Sequence, residues 1–77
     1  MNKIKIIWDF RGPVSQKIAD HHEKHLQEFF KKENKKLYES GTEKLTEMHS
    51  IAYSIIDQND LNEIKITLRP NRAQQVN

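Results

Sequence analysis

The sequence predicts an α+β fold, a small two-layer sandwich of ferredoxin-like type in the order β-α-(β)-β-α, with one long helix packed on a short sheet. Three observations lead there. Lys3 to Phe10 alternates like a strand, the run after Gly12-Pro13 carries no further Gly or Pro until Gly41, and His49 to Asp57 is β-branched and aromatic. Strand, helix and strand within 77 residues make one domain in which the helix has only the sheet to bury its apolar face against.

In the first strand, Ile4, Ile6, Trp8 and Phe10 fall on one side and Lys3, Lys5, Ile7 and Asp9 on the other, the period-two pattern of a strand with a buried face. Arg11-Gly12-Pro13 turns the chain into the helix. Pro at a first helical position loses no hydrogen bond, and Gly suits the position beyond a last turn, so the helix is expected to run from Pro13 to Ser40 with Gly41 as its stop. At 100° per residue one broad face collects Val14, Ile18, His22, Leu26, Phe29 and Leu37, with Ala19 and Phe30 at one margin and His25 at the other. Asp20, Glu23, Lys24, Gln27, Lys31 and Asn34 are expected to cover the solvated back.

Thr42–Met48 reads as a connection that can hold a short edge strand. In the strand His49–Asp57, Ile51, Tyr53 and Ile55 lie on one side and Ala52, Ser54 and Ile56 on the other. Two partly apolar faces suit a central strand or one covered by a second subunit. Asp60 to Leu68 fits either a strand or a helix by periodicity. Asp60 followed by Glu63 as a capping box, with Pro70 as a stop, decides for a short helix. The expected domain is therefore 1–70, with 71–77 a flexible C-terminal tail.

Thirteen basic and eleven acidic residues, a formal net charge of +2, are largely interspersed, so nucleic acid is not an expected partner. Lys31, Lys32, Lys35 and Lys36 cluster where the helix dipole favours cations. Lys5 and Asp9 interrupt the N-terminal apolar run, which excludes it as a signal peptide or membrane span. The absence of cysteine suits a reducing compartment, and a cytoplasmic location is the expectation.

No Gly-rich phosphate loop, HExxH or G-x-S-x-G pattern occurs, which leaves the histidines as the residues most suited to chemistry. His22, His25 and His49 sit on elements expected to converge and are the candidate ligands for zinc or another divalent metal. His21 and His25 form an alternative pair at i and i+4. A binding site at the strand-to-helix turn would use Trp8, Asp9, Arg11, His22, His25 and His49: Arg11 pairs with a small anionic ligand, Trp8 supplies an apolar wall, and a histidine bonded to Asp9 moves a proton. Glu47 and Tyr53 are candidates to join it, and Lys65, Arg69 and Arg72 form a second basic rim. The competing structural reading makes Trp8 and His22 core residues and has Asp9 and Arg11 form an ion pair or satisfy backbone groups at the turn. A ligand- or partner-binding domain without turnover is favoured, and a small metal-binding protein or enzyme using the three histidines is the alternative.

A chain of this length buries only about 60% of its unfolded surface, and with no disulfide the remaining stabilisation is expected from a second copy of itself. Sedimentation equilibrium at micromolar concentration should give a homodimer, and a 9.2 kDa species would contradict that expectation.

Overall fold

The computed structural model describes residues 2–76; Met1 and Asn77, the outer ends of the expected domain and tail, lie outside the described residues. The chain forms β1 (Lys3–Arg11), α1 (Ser15–Lys32), β2 (Leu37–Thr46), β3 (His49–Asp57), a 3-10 turn (Gln58–Asp60), α2 (Leu61–Leu68) and β4 (Arg72–Val76). Four strands make one open antiparallel sheet in the order β2-β3-β1-β4. Both helices pack on one face, where Ile6, Trp8, Ala52 and Ile56 of the sheet meet Ala19, Leu26 and Phe30 of α1 and Ile64 of α2. No helix among the described residues is long and apolar enough to cross a membrane.

β1 and β3 have the faces that their alternation predicts; β3 has the expected bounds, and β1 runs one residue further, to Arg11. Ile4, Ile6, Trp8 and Phe10 register with Ile56, Ser54, Ala52 and Ser50 on the helix side, while Lys5, Ile7, Asp9 and Arg11 register with Ile55, Tyr53, Ile51 and His49 on the open side. β3 lies between β2 and β1, the central position that its β-branched composition suits.

The expected helix to Ser40 is too long. α1 stops at Lys32 because Asn34 adopts a left-handed conformation (φ 55°). The Asn34 N–H donates to Lys31 O at 3.2 Å and the Lys35 N–H to Phe30 O at 2.9 Å, the paired bonds of a Schellman stop, in which Asn is the usual substitute for Gly. Leu37 to Ser40 then belong to β2, which extends the expected edge strand at its start. Gly41 lies inside that strand with Tyr53 over it: a Cβ there would meet the Tyr53 hydroxyl at 2.8 Å. Close approach of a ring explains this glycine. Gly12, at φ 115°, is the one that the backbone requires in order to turn from β1 into α1.

The buried face of α1 is also rotated from the expected one. Ser15, Ala19, Leu26 and Phe30 are its buried residues, and Val14 and Ile18 are 57% and 43% exposed, a rotation of roughly 60° at 100° per residue. Two small residues explain it: Ser15, whose hydroxyl bonds that of Ser50 at 3.2 Å, and Ala19 let the N-terminal half approach the sheet closely. Part of the expected solvated back is thereby turned towards β2. Asp20 accepts from Thr42 at 2.8 Å, and Glu23 accepts from Ser40 at 2.7 Å and from Gln27.

α2 is helical as predicted, but the capping box does not form. Asp60 makes no side-chain cap bond, and it is Asp57 that accepts from the Asn59 N–H, at 3.0 Å. Residues 71–77, expected as a flexible tail, instead contain β4, which pairs with β1 from Ile7↔Arg72 to Lys3↔Val76. The pattern RAQQV carries no apolar alternation because β4 is an edge strand with exposed side chains; what recruits it is the otherwise unpaired backbone of β1.

Because Asn34 holds a conformation that costs other L-residues about 1 kcal/mol or more, Asn34→Gly should raise the thermal midpoint slightly and Asn34→Val should lower stability by about 1–2 kcal/mol. Thermal unfolding followed by circular dichroism measures both. Equal midpoints for the two variants would mean that the left-handed stop does not limit α1.

Candidate functional site

The residues expected to share one site divide between the two faces of the sheet. On the helix face, Trp8 is buried and its indole N–H donates to Leu68 O at 2.9 Å, tying β1 to the last turn of α2. His22, half-buried on α1, packs against Trp8 and Phe10 with ring centroids 5.0 and 5.3 Å away. Its Nε2 is buried and has no hydrogen-bond partner. Burial, and secondarily the positive charge that His25 can carry, push the His22 pKa below its ordinary value of 6.5, so the ring is neutral at neutral pH.

Beside His22 a cleft of about 410 Å³ opens between the end of β1 and the first half of α1, lined by Phe10, Lys17, Ile18, His21, His22 and His25. The rotation of α1 creates it: Ile18 is displaced from the core and becomes, with Phe10, an apolar wall. Lys17 is exposed, and His21 and His25 approach each other at 2.9 Å between their Nε2 atoms. The sequence reading passes over Phe10, Lys17 and Ile18 as site residues. The signal available for them was the pair Ser15 and Ala19, small enough to draw the helix in on the other side of His22.

On the open face, Asp9 is the centre of a second cluster. Its carboxylate bonds His49 Nε2 at 2.7 Å and accepts from Arg72 Nη2 at 2.9 Å and Nε at 3.0 Å. Its backbone N–H donates to Asn71 Oδ1 at 2.8 Å. Burial alone would raise the Asp9 pKa, but the hydrogen bonds and charges of His49 and Arg72 outweigh it and leave the carboxyl below its ordinary value. The expected histidine bonded to Asp9 is thus His49. The expected Asp9–Arg11 pair is replaced by Asp9–Arg72, since Arg11 is exposed at the strand end opposite His49 and β4 brings Arg72 alongside. Both Asp9 oxygens are engaged, and the cluster clamps β3, β1 and β4 together.

His49 therefore lies across the sheet from His22 and His25, and the expected trio is not brought together. The register decides this: His49 has the parity of Ile51 and Tyr53 on the open side, whereas Ser50, Ala52 and Ser54 face the helices. Among the described residues no group of three or more His, Cys, Asp or Glu is arranged to hold a metal ion. Tyr53 bonds Glu39 at 3.1 Å on the open side, where burial first and that carboxylate second raise its pKa. Glu47 is exposed at the β2–β3 turn, 3.3 Å from Lys44. In the expected second rim, Arg72 is taken by Asp9 and Lys65 and Arg69 are exposed. No protein-family description, no curated protein and no solved structure matches the chain.

A histidine with a lowered pKa carries no penalty above its unfolded value near 6.5, and its penalty grows as pH falls through that value towards the folded one. The Trp8 and Phe10 rings pack beside His22 and Lys17, His21 and His25 line the same cleft; none of them is a carboxylate that would pair with an imidazolium. His22→Phe should match or exceed the parent in thermal midpoint at pH 7.5, and its advantage should widen at pH 5.5. A constant difference between the two proteins across that range would show that His22 is not held neutral by burial.

Proposed function

We propose that this chain is a small ligand-binding domain whose site is the cleft between β1 and α1, and that its ligand combines an apolar body with an anionic group. The observation that carries this reading is the makeup of the cleft wall: Phe10 and Ile18 are apolar, Lys17, His21 and His25 bring positive or titratable groups to the same space, and the His22 Nε2 is left without a partner. A buried polar atom without a hydrogen bond costs about 1–3 kcal/mol, and clefts of a few hundred Å³ with few convergent polar groups are the usual form of small-molecule sites. Lys17 pairs with the anionic group while the apolar body lies on Phe10 and Ile18. Nothing in this arrangement requires turnover.

The same reading takes the strand order β2-β3-β1-β4 as the ferredoxin-like type, in which two strand–helix–strand units interleave so that each places one foreign strand between its own two. It takes the protein as a cytoplasmic homodimer, supported by the lack of cysteine, the open edges of β2 and β4, and the exposed apolar side chains of Val14, Leu45, Met48 and Ile66. These are the features from which a small chain makes a subunit contact.

Phenylacetate, an aromatic body carrying one carboxylate, is the probe. Titrated into ¹⁵N-labelled protein, it should shift amide signals of Phe10, Ile18 and His22 in a saturable way. Ile18→Glu, which puts a like charge on the apolar wall at an already exposed position, should weaken that response at least tenfold. Shifts confined to other regions, or the same response in Ile18→Glu, would remove the cleft as the binding site.

A further inference from the structure

His21 and His25 lie one turn apart on the exposed side of α1, where an i to i+4 offset places side chains over one another. Their ring centroids are 4.6 Å apart and their Nε2 atoms 2.9 Å apart. In the absence of a third atom such a pair shares one proton, one nitrogen donating and the other accepting. His25 has a second neighbour, the Glu28 carboxylate, 3.8 Å from its Nδ1. That separation is longer than a hydrogen bond, so the close approach at this helix face is that of the two Nε2 atoms alone.

The spacing carries the argument further. Two imidazole nitrogens each about 2.0 Å from one ion are about 2.8 Å apart when they subtend a right angle and about 3.3 Å apart in a tetrahedral site. The observed 2.9 Å is that of neighbouring positions in a square-planar or octahedral site. The geometry points to a two-histidine clamp, His21 Nε2 and His25 Nε2, that holds a divalent transition-metal ion at the rim of the cleft.

Copper(II) suits it best, because tetragonal sites with nitrogen and oxygen donors are its preference and it heads the affinity order of these ions. The protein supplies two ligands, and water or another oxygen donor completes the coordination. This set differs from the His22, His25 and His49 trio, which the sheet divides, and it needs no organic ligand. It is independent of the proposed ligand, and a failure of phenylacetate to bind leaves it standing.

The test uses copper(II) chloride alone, titrated at pH 7.4 in a non-coordinating buffer and followed by calorimetry and by paramagnetic broadening of histidine ring signals. The expected result is one ion per chain, with broadening strongest at His21 and His25. His21→Ala and His25→Ala should each weaken binding at least tenfold, and His49→Ala should leave it unchanged. Circular dichroism checks the folding of the variants; the side chains at 21 and 25 are exposed. Affinity that survives both alanine substitutions, an equal loss in His49→Ala, or no binding by the parent would each overturn the clamp.

Discussion

Both layers of this fold meet at Trp8. Its ring is buried on the helix side of β1, its indole N–H is bonded to Leu68 O at the end of α2, and His22 of α1 packs on its face. A large aromatic side chain contributes stabilisation by area, and its single polar atom must find an acceptor once buried. The acceptor is the carbonyl of Leu68, the last helical residue before Arg69 turns left-handed at φ 49°. The chain leaving that turn comes back beside β1, where Asn71 N–H donates to Ile7 O. From there β4 follows by simple pairing.

The cleft is a consequence of how α1 sits over the same strand. Small residues at Ser15 and Ala19 let the helix approach β3, where Ser15 bonds Ser50, and the hydroxyls of Ser40 and Thr42 donate to the carboxylates of Glu23 and Asp20 on the β2 side. On the opposite margin of the helix Phe10 and Ile18 line the cleft together with His22. Polar pairs thus hold one edge of α1 to the sheet, and the apolar side of the cleft lies at the other.

The open face is organised by charge. Asp9 on β1 receives His49 from β3 and Arg72 from β4, so three strands are joined at one carboxylate. Ile7 and Ile51 are buried on this side although no helix covers them; Ile7 is flanked across the register by Tyr53 and Arg72, whose apolar body and stem are of the kind that covers apolar surface, and Ile51 by Asp9. Lys5 lies over the Tyr53 ring at 4.5 Å in the same layer. The half-exposed Arg72 makes this clamp weaker than a buried pair would be, since water screens it.

The sequence by itself determined β1 and β3, because period-two alternation and β-branched composition act over a few residues; it left Trp8 open between the core and a ligand wall, and Asp60–Leu68 reads as helix on a capping box that does not form and a stop before Pro70. It also made a histidine partner for Asp9 legible, though not which one. The tertiary structure decided the rest. The end of α1 depended on Asn34 taking a left-handed conformation, which a Gly and Pro count overlooks. The helix rotation depended on Ser15 meeting Ser50, 35 positions away in the chain, and it moved Ile18 from the expected core to the cleft. The division of the histidines depended on strand parity: a one-residue difference in register would have put His49 with His22 rather than against Asp9. β4 had no apolar pattern to announce it, since an edge strand is recruited by the backbone groups of its neighbour and by Asn71 and Arg72 reaching Asp9, contacts that exist only once the chain has folded back.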